Sequence, residues 1–192
     1  LGGLRKDQVR VIAEEHGFIN ARKHDSQDIC FVPDGDYAKF IEKYTGKKTP
    51  EGDFVDKEGN YIGRHKGIIH YTIGQRRGLG IPAASRLYVC EISPKTNTVV
   101  LGDNADLFSS ELEADSVNLI SVDNLSDPKR VTAKIRYRHK EQPATAWQTP
   151  DGILHVKFDE PQRAITKGQA VVMYDGDEVV GGGVINKIYS QS

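Results

Sequence analysis

The chain has 192 residues, 38% hydrophobic and 28% charged, which is globular material long enough to bury a core and to divide into small domains. Its formal charge is −1, from 26 basic and 27 acidic residues, so no bulk field announces a polyanionic partner; any such case rests on where the cations sit. Two cysteines, Cys30 and Cys90, without CxxC spacing exclude a zinc ribbon and a disulfide framework, and the six histidines show no metal-ligand spacing. No apolar run reaches membrane-spanning length and no signal peptide is visible, so a cytoplasmic protein with no membrane partner is expected. Asn124-Leu125-Ser126 matches the glycosylation pattern, but nothing else points to secretion.

Leu1-Gly2-Gly3-Leu4 lacks an initiating methionine and runs straight into a helical pattern, so the expectation is a piece of a longer protein. Residues 5 to 16 read as a helix with Val9, Ile12 and Ala13 on one face and Gly17 as its stop. A second helix is expected over Asp36 to Tyr44. There Tyr37, Phe40, Ile41 and Tyr44 follow i, i+3, i+4, i+7 and Gly46 ends the pattern, a stripe expected to be core rather than a binding face. The segment around Cys30 lies between them as a short strand or turn. From about residue 47 turn residues recur between short β-like runs, and Leu87–Ile92 with Thr98–Leu101 reads as a hairpin that gives Cys90 a structural place.

Beyond about residue 109 the candidate strands are Asp115–Ser121, Val131–Arg138, Thr145–Gln148, Ile153–Phe158, Gln169–Tyr174 and Glu178–Ile188. Asp151-Gly152 and Asp175-Gly176 are hairpin signals, and six short strands in this space suggest a small antiparallel barrel. Gly181-Gly182-Gly183 suits a sharp barrel corner and lacks the Lys-Ser/Thr of a P-loop. The expected fold class is therefore α+β, mostly β: a short helical N-terminal part over 1–37, a small mixed central domain over 38–108, and a six-stranded antiparallel β-barrel over 109–192.

Two stretches concentrate cations. Between Gly59 and Cys90 there is no Asp or Glu, yet Arg64, Lys66, Arg76, Arg77 and Arg86 are present. At its centre, Tyr71-Thr72-Ile73-Gly74-Gln75-Arg76-Arg77-Gly78-Leu79-Gly80 sets adjacent arginines between glycines, which lets amides and guanidinium groups approach phosphates; the alternative is a solvated loop. In the second, Val131, Ala133, Ile135 and Tyr137 alternate with Lys134, Arg136 and Arg138, so a period of two puts the three cations on one strand face. That face suits a nucleic-acid backbone, or is merely the wet side of a barrel strand.

Cys30 closes His24-Asp25-Ser26-Gln27-Asp28-Ile29-Cys30, where a polar, acidic run turns apolar. Its position alone admits a buried structural thiol as readily as a reactive one at a pocket edge. Asp25 and Asp28 would raise its pKa if they approached it, so activation would have to come from Lys23, His24, a helix terminus or a further domain.

Six ordered segments carry a resemblance: Leu1-Gly2-Gly3-Leu4, Asp25-Ser26-Gln27-Asp28-Ile29-Cys30-Phe31, Tyr71-Thr72-Ile73-Gly74-Gln75-Arg76, Ile135-Arg136-Tyr137-Arg138, Phe158-Asp159-Glu160-Pro161-Gln162-Arg163-Ala164 and Gly168-Gln169-Ala170-Val171-Val172. Together they resemble the C-terminal half to two-thirds of bacterial tRNA-specific 2-thiouridylases. The resemblance implies replacement of the C2 oxygen of the tRNA wobble uridine by sulfur: ATP adenylates that oxygen, a cysteine persulfide supplies sulfur, and AMP leaves.

By the same resemblance Cys30 is the persulfide-bearing catalytic cysteine. Arg136, Tyr137 and Gln169, with Arg138, Arg76 and Arg77, are the residues expected at tRNA. Arg136 would pair with phosphate and Gln169 would donate to a phosphate or sugar oxygen, whereas Tyr137 would stack on a nucleotide or, as its alternation suggests, fill the core. Residues 1–37 become a remnant of an ATP-pyrophosphatase-type domain, and the barrel becomes translation-factor-like. The implied partners are tRNA, a sulfur-carrier protein or cysteine desulfurase, and the N-terminal ATP-binding domain that this piece lacks. That domain would supply the second reactive cysteine and bind ATP with Mg, so no cofactor is expected on these 192 residues and they are expected to be inactive alone. Two other readings compete: a non-catalytic RNA-binding module with Cys30 as packing, and a thiol redox protein using Cys30 and Cys90, against which the strand-like setting of Cys90 argues.

Overall fold

The structure, a computed structural model, describes residues 2–23, 32, 35–82 and 86–189. It divides into two compact units, 1–47 and 48–192.

In the first unit, α1 (Lys6–Glu15) gives way to a turn around Gly17, whose φ of +71° is open to glycine without strain. α2 (Tyr37–Thr45) starts where the Asp36 carboxylate accepts the Lys39 N–H at 3.0 Å and stops at Gly46 in the left-handed conformation. Such an N-cap contributes about 1 kcal/mol. The aromatic stripe is not core within this unit: Tyr44 is 83% exposed, and Ala38 is the buried residue of α2. Phe40 and Tyr44 stack on each other at 6.0 Å instead. Two short helices cannot enclose their own apolar faces, because so small a unit has too little interior.

The second unit begins with a four-stranded mixed sheet in the order β2-β1-β4-β3, built from β1 (Gly52–Val55), β2 (Tyr61–His65), β3 (Tyr88–Ser93) and β4 (Thr98–Gly102). β3 and β4 form the expected hairpin, and β1 runs parallel to β4. Phe54, Tyr71, Val89, Val99 and Leu101 fill its core. Buried His65 packs edge-on against Phe54 and Tyr71; its Nδ1 accepts the Gly67 N–H at 3.1 Å and its Nε2 meets the Asn97 carbonyl at 3.1 Å. Both ring nitrogens are occupied, which makes it a structural histidine.

The remaining strands, β5 (Phe108–Leu119), β6 (Lys129–Lys134), β7 (Gln142–Gln148), β8 (Leu154–Arg163), β9 (Ala170–Asp175) and β10 (Glu178–Tyr189), close an antiparallel barrel in the order β10-β5-β8-β7-β6-β9. Alternating residues point inward. Ala114, Ala133, Ala144 and Ala146 leave room in a narrow lumen for Leu112, Leu154, Val156, Phe158 and Met173. Full burial of each larger side chain is worth about 1.5–3 kcal/mol. The glycine run lies where β10 bulges: a Cβ on Gly182 would meet the Val171 carbonyl oxygen, and one on Gly183 would lie 2.7 Å from that of Asp115.

Strand limits differ from expectation at several places: β7 begins at Gln142 rather than Thr145, and β8 runs to Arg163 rather than Phe158. β5 begins at Phe108 rather than Asp115, because it first pairs with the far end of β8 through Phe108↔Arg163. β6 ends at Lys134 rather than Arg138; the chain then turns, with the His139 N–H on the Arg136 carbonyl at 3.1 Å. Buried Ile135 prolongs the alternation into that turn, which is why period two overran the strand.

Candidate nucleic-acid interface

Register places the turn after β6 beside the loop between β8 and β9. Lys134 pairs with Val172, so residues 135–139 continue alongside the residues that precede Ala170. Arg136 closes the gap: its Nη2 donates to the Ala164 carbonyl, which also accepts the Thr166 hydroxyl at 3.0 Å. Ala164 itself adopts a φ of +55° and donates its N–H to the Leu107 carbonyl at 2.6 Å, pinning the loop to the start of the barrel. At the loop's other end the Ile185 N–H binds the Gln169 carbonyl at 2.8 Å, so the backbone of Gln169 is held while its side chain stays exposed. The barrel thus brings Arg136, Tyr137 and Gln169 to one edge.

Tyr137 is 94% exposed, so the core-filling alternative is excluded. The expected common strand face of Lys134, Arg136 and Arg138 is also absent, because Arg136 and Arg138 lie in the turn. What gathers the cations is a loop-to-loop contact.

The mixed sheet supplies the other side. Its Thr72–Gly78 loop is tied to β3 by Gly74 N–H to the Val89 carbonyl at 2.8 Å and Val89 N–H to the Gln75 carbonyl at 2.9 Å. The Gln75 side chain accepts the Thr72 N–H at 3.0 Å and donates to the Arg77 carbonyl at 2.9 Å, which leaves Arg76 and Arg77 turned to solvent. Gly74 abuts the barrel: a Cβ there would lie 3.2 Å from Ala164 Cβ and 3.3 Å from Arg163 Nη1. Arg163 donates from Nε to Asn104 Oδ1 at 3.2 Å and lies over the Tyr88 ring, 5.5 Å from its centroid. The Thr72–Gly78 loop and the barrel loop that Arg136 holds therefore meet at the seam between sheet and barrel.

Several cations elsewhere on the barrel are paired with carboxylates. Lys129 pairs with Asp175 at 2.8 Å, Arg130 with Asp159 at 2.7 Å and Lys187 with Glu113 at 3.1 Å. Among the described residues Arg76, Arg77, Lys134, Arg136 and Arg163 have no carboxylate partner. Burial, and then the charge of Arg163, pull the Arg136 pKa below its ordinary value. His139 is lowered too, by desolvation first and then by Arg136 and Lys134, and its Nδ1 is buried without a hydrogen-bond partner. Next to Arg76 an open cleft of about 570 Å³ runs to Arg86 over Leu79, Ile81, Pro82 and Leu87.

Cys30, with the whole His24-to-Phe31 segment, lies outside the described residues. Cys90 sits half-buried at a β3 bulge, its Sγ 3.4 Å from the Tyr88 carbonyl. Desolvation, reinforced by Asp106, pushes its pKa up to about 11. A thiol so disposed is a poor nucleophile, which agrees with a structural role. Gly181-Gly182-Gly183 is filled by neighbouring backbone, so it offers no phosphate cradle. Among the described residues no cluster of His, Cys, Asp and Glu could hold a metal ion, and no helix is long and apolar enough to cross a membrane.

Sequence reasoning did not single out Arg163 or His139 for this site. Arg163 stood in the Pro161-Gln162-Arg163-Ala164 segment of the resemblance, and His139 follows the second basic stretch. Only the contacts with Gly74 and Arg136 show what they adjoin.

Fold and seam define the class: a small mixed sheet joined to a closed six-stranded antiparallel barrel, with unpaired cations gathered at the join. Residues 1–34 match the tRNA methyl transferase HUP domain, 38–103 the tRNA methyl transferase PRC-barrel domain and 109–185 the aminomethyltransferase beta-barrel domain. Over 187 residues the chain is 56% identical to the tRNA-specific 2-thiouridylase MnmA of Clostridioides difficile, an alignment covering 97% of this chain and 52% of that relative. The protein of the same name from Acetivibrio thermocellus is 55% identical over 185 residues, and that from Clostridium acetobutylicum 50% over 184, each covering 96% of this chain and 52% of the relative. The chain belongs to the tRNA-specific 2-thiouridylase family and spans about half the length of the curated relatives it matches.

Proposed function

We propose that this chain is the sulfur-donating and tRNA-docking part of a cytoplasmic tRNA-uridine 2-sulfurtransferase, organised as 1–37, 38–108 and 109–192. The observation that carries the docking half is the seam. Guanidinium groups from two loops gather without carboxylate partners beside an exposed tyrosine and an exposed glutamine. Such a surface suits the phosphates and unstacked bases of an RNA loop. Arg136 binds phosphate, Tyr137 stacks on a base, Gln169 donates to a phosphate or sugar oxygen, and Arg76, Arg77 and Arg138 add charge along the path.

The sulfur-donating half rests on Cys30 and on the names of the relatives. ATP, with Mg, adenylates the uridine C2 oxygen in a domain beyond these residues. The terminal sulfur of a Cys30 persulfide attacks C2, the C2–O bond breaks and AMP leaves. A second thiolate then cuts the Sγ–S bond, leaving 2-thiouridine and a disulfide for an external reductant. A sulfur-carrier protein or a cysteine desulfurase reloads Cys30.

The deciding experiment is mass spectrometry of tRNA nucleosides from cells whose only copy of the full-length parent carries Cys30→Ser. Loss of 2-thiouridine from a protein that still folds and binds tRNA supports the assignment. Persistence of 2-thiouridine makes the thiol structural and the chain a docking module alone.

A further inference from the structure

We propose that Arg163 is a phosphate-binding residue that, with Arg136, forms one anion seat at the seam between the mixed sheet and the barrel. The proposal rests on the docking function above and adds to it a residue and a geometry. Arg163 ends β8, and Ala164, the next residue, carries the carbonyl to which Arg136 is bound. The Arg136 guanidinium is thereby held beside the residue that follows Arg163, near enough for the Arg163 charge to act on it.

Each is held in place by a neutral partner. Arg163 is fixed by the Asn104 side-chain oxygen at one edge and by the Tyr88 ring on one face, and Arg136 is fixed by the Ala164 carbonyl. A guanidinium carries five N–H donors, so one protein hydrogen bond on each leaves most of the fork without a protein acceptor. Gly74 gives the Thr72–Gly78 loop its close approach, since any side chain there would press on Arg163 Nη1.

Holding like charges together in a half-buried seam is unfavourable in itself. Elsewhere on the barrel Lys129, Arg130 and Lys187 relieve their charge on carboxylates, and Arg136 and Arg163 do not. Two pre-positioned forks without a carboxylate match a phosphodiester, whose paired oxygens accept from both. The flanking Arg76, Arg77, Tyr137 and Gln169 make the seat one station on an extended track, which favours a polynucleotide over a free anion.

The test measures binding of the chain to unfractionated tRNA over a series of salt concentrations, for wild type, Arg163→Gln, Arg136→Gln, the double variant and Arg130→Gln. Arg163→Gln is expected to weaken binding roughly tenfold and to reduce the slope of log affinity against log salt by about one. In the Arg136→Gln background its effect should shrink, because both groups serve one phosphate. Carboxylate-paired Arg130→Gln should keep the wild-type slope.

Wild-type affinity and slope in Arg163→Gln, with both reduced in Arg136→Gln, would overturn the seat and leave the docking function standing. A wild-type chain without salt-dependent affinity for tRNA would overturn both. If Arg163→Gln loses its thermal transition, Arg163→Lys takes its place. A point charge instead of a fork should keep the slope and weaken binding several-fold, and unchanged affinity would again remove the seat.

Discussion

Replacing Gly74 by alanine is expected to cost more stability than the same change at Gly80 and to weaken tRNA binding, which the Gly80 change should spare. Both glycines have positive φ, +85° and +71°, so each alanine suffers left-handed strain of about 1–2 kcal/mol, offset by about 0.4–1 kcal/mol from the stiffer unfolded chain. The positions differ in surroundings. A Cβ at Gly80 meets nothing within 4 Å, whereas one at Gly74 lies 3.2 Å from Ala164 Cβ and 3.3 Å from Arg163 Nη1.

Arg163 Nη1 can shift only against its hold on Asn104 and Tyr88, and Ala164 is pinned through its N–H to Leu107. The loop must therefore lift, adding about 1–2 kcal/mol of overpacking. The totals are about 0.5–1 kcal/mol for Gly80→Ala and about 2–3 kcal/mol for Gly74→Ala. For a chain of this size, Gly74→Ala should lower Tm by roughly 5–10 °C and Gly80→Ala by a few degrees. Calorimetry and tRNA binding at fixed salt read the two effects. Equal Tm losses for the two variants, with full tRNA affinity in Gly74→Ala, would refute a rigid seam that positions Arg163.

Tyr137→Ala should leave stability within about 0.5 kcal/mol, because the ring is 94% exposed, while tRNA affinity falls by about 1–3 kcal/mol; a large fall in Tm would put the ring back in the core. The pKa of His139 is lowered by desolvation, Arg136 and Lys134, so its contribution to stability is fully present above the unfolded value of about 6.5 and is lost as pH falls through the lower folded value. His139→Gln should accordingly flatten the decline in urea midpoint from pH 7 to pH 5, and an unchanged slope would contradict the lowered pKa. With its pKa pushed up to about 11, Cys90 in the native chain should react with iodoacetamide at pH 8 roughly a hundredfold more slowly than a free thiol, followed by mass spectrometry of its peptide. Modification of Cys90 at the free-thiol rate would revive a redox role for it.

The barrel was legible in the chain because its signals are local. Alternation through Leu154, Val156 and Phe158, the turn at Asp151-Gly152 and the glycines that let β10 bend each depend on a few neighbouring residues. The same locality misled at two places. Alternation cannot distinguish the last residues of β6 from a turn that buries only Ile135, and helical spacing cannot show whether anything covers Tyr44.

The cationic seam was legible only as two unrelated basic stretches, because sequence order records neither the pairing of Lys134 with Val172 nor the fit of Gly74 against Ala164. Net charge and periodicity are properties of the chain. Which cations meet carboxylates and which remain unpaired depends on barrel closure, and that closure decided that Arg130 would be neutralised by Asp159 while Arg136 and Arg163 would stand together without a counter-charge.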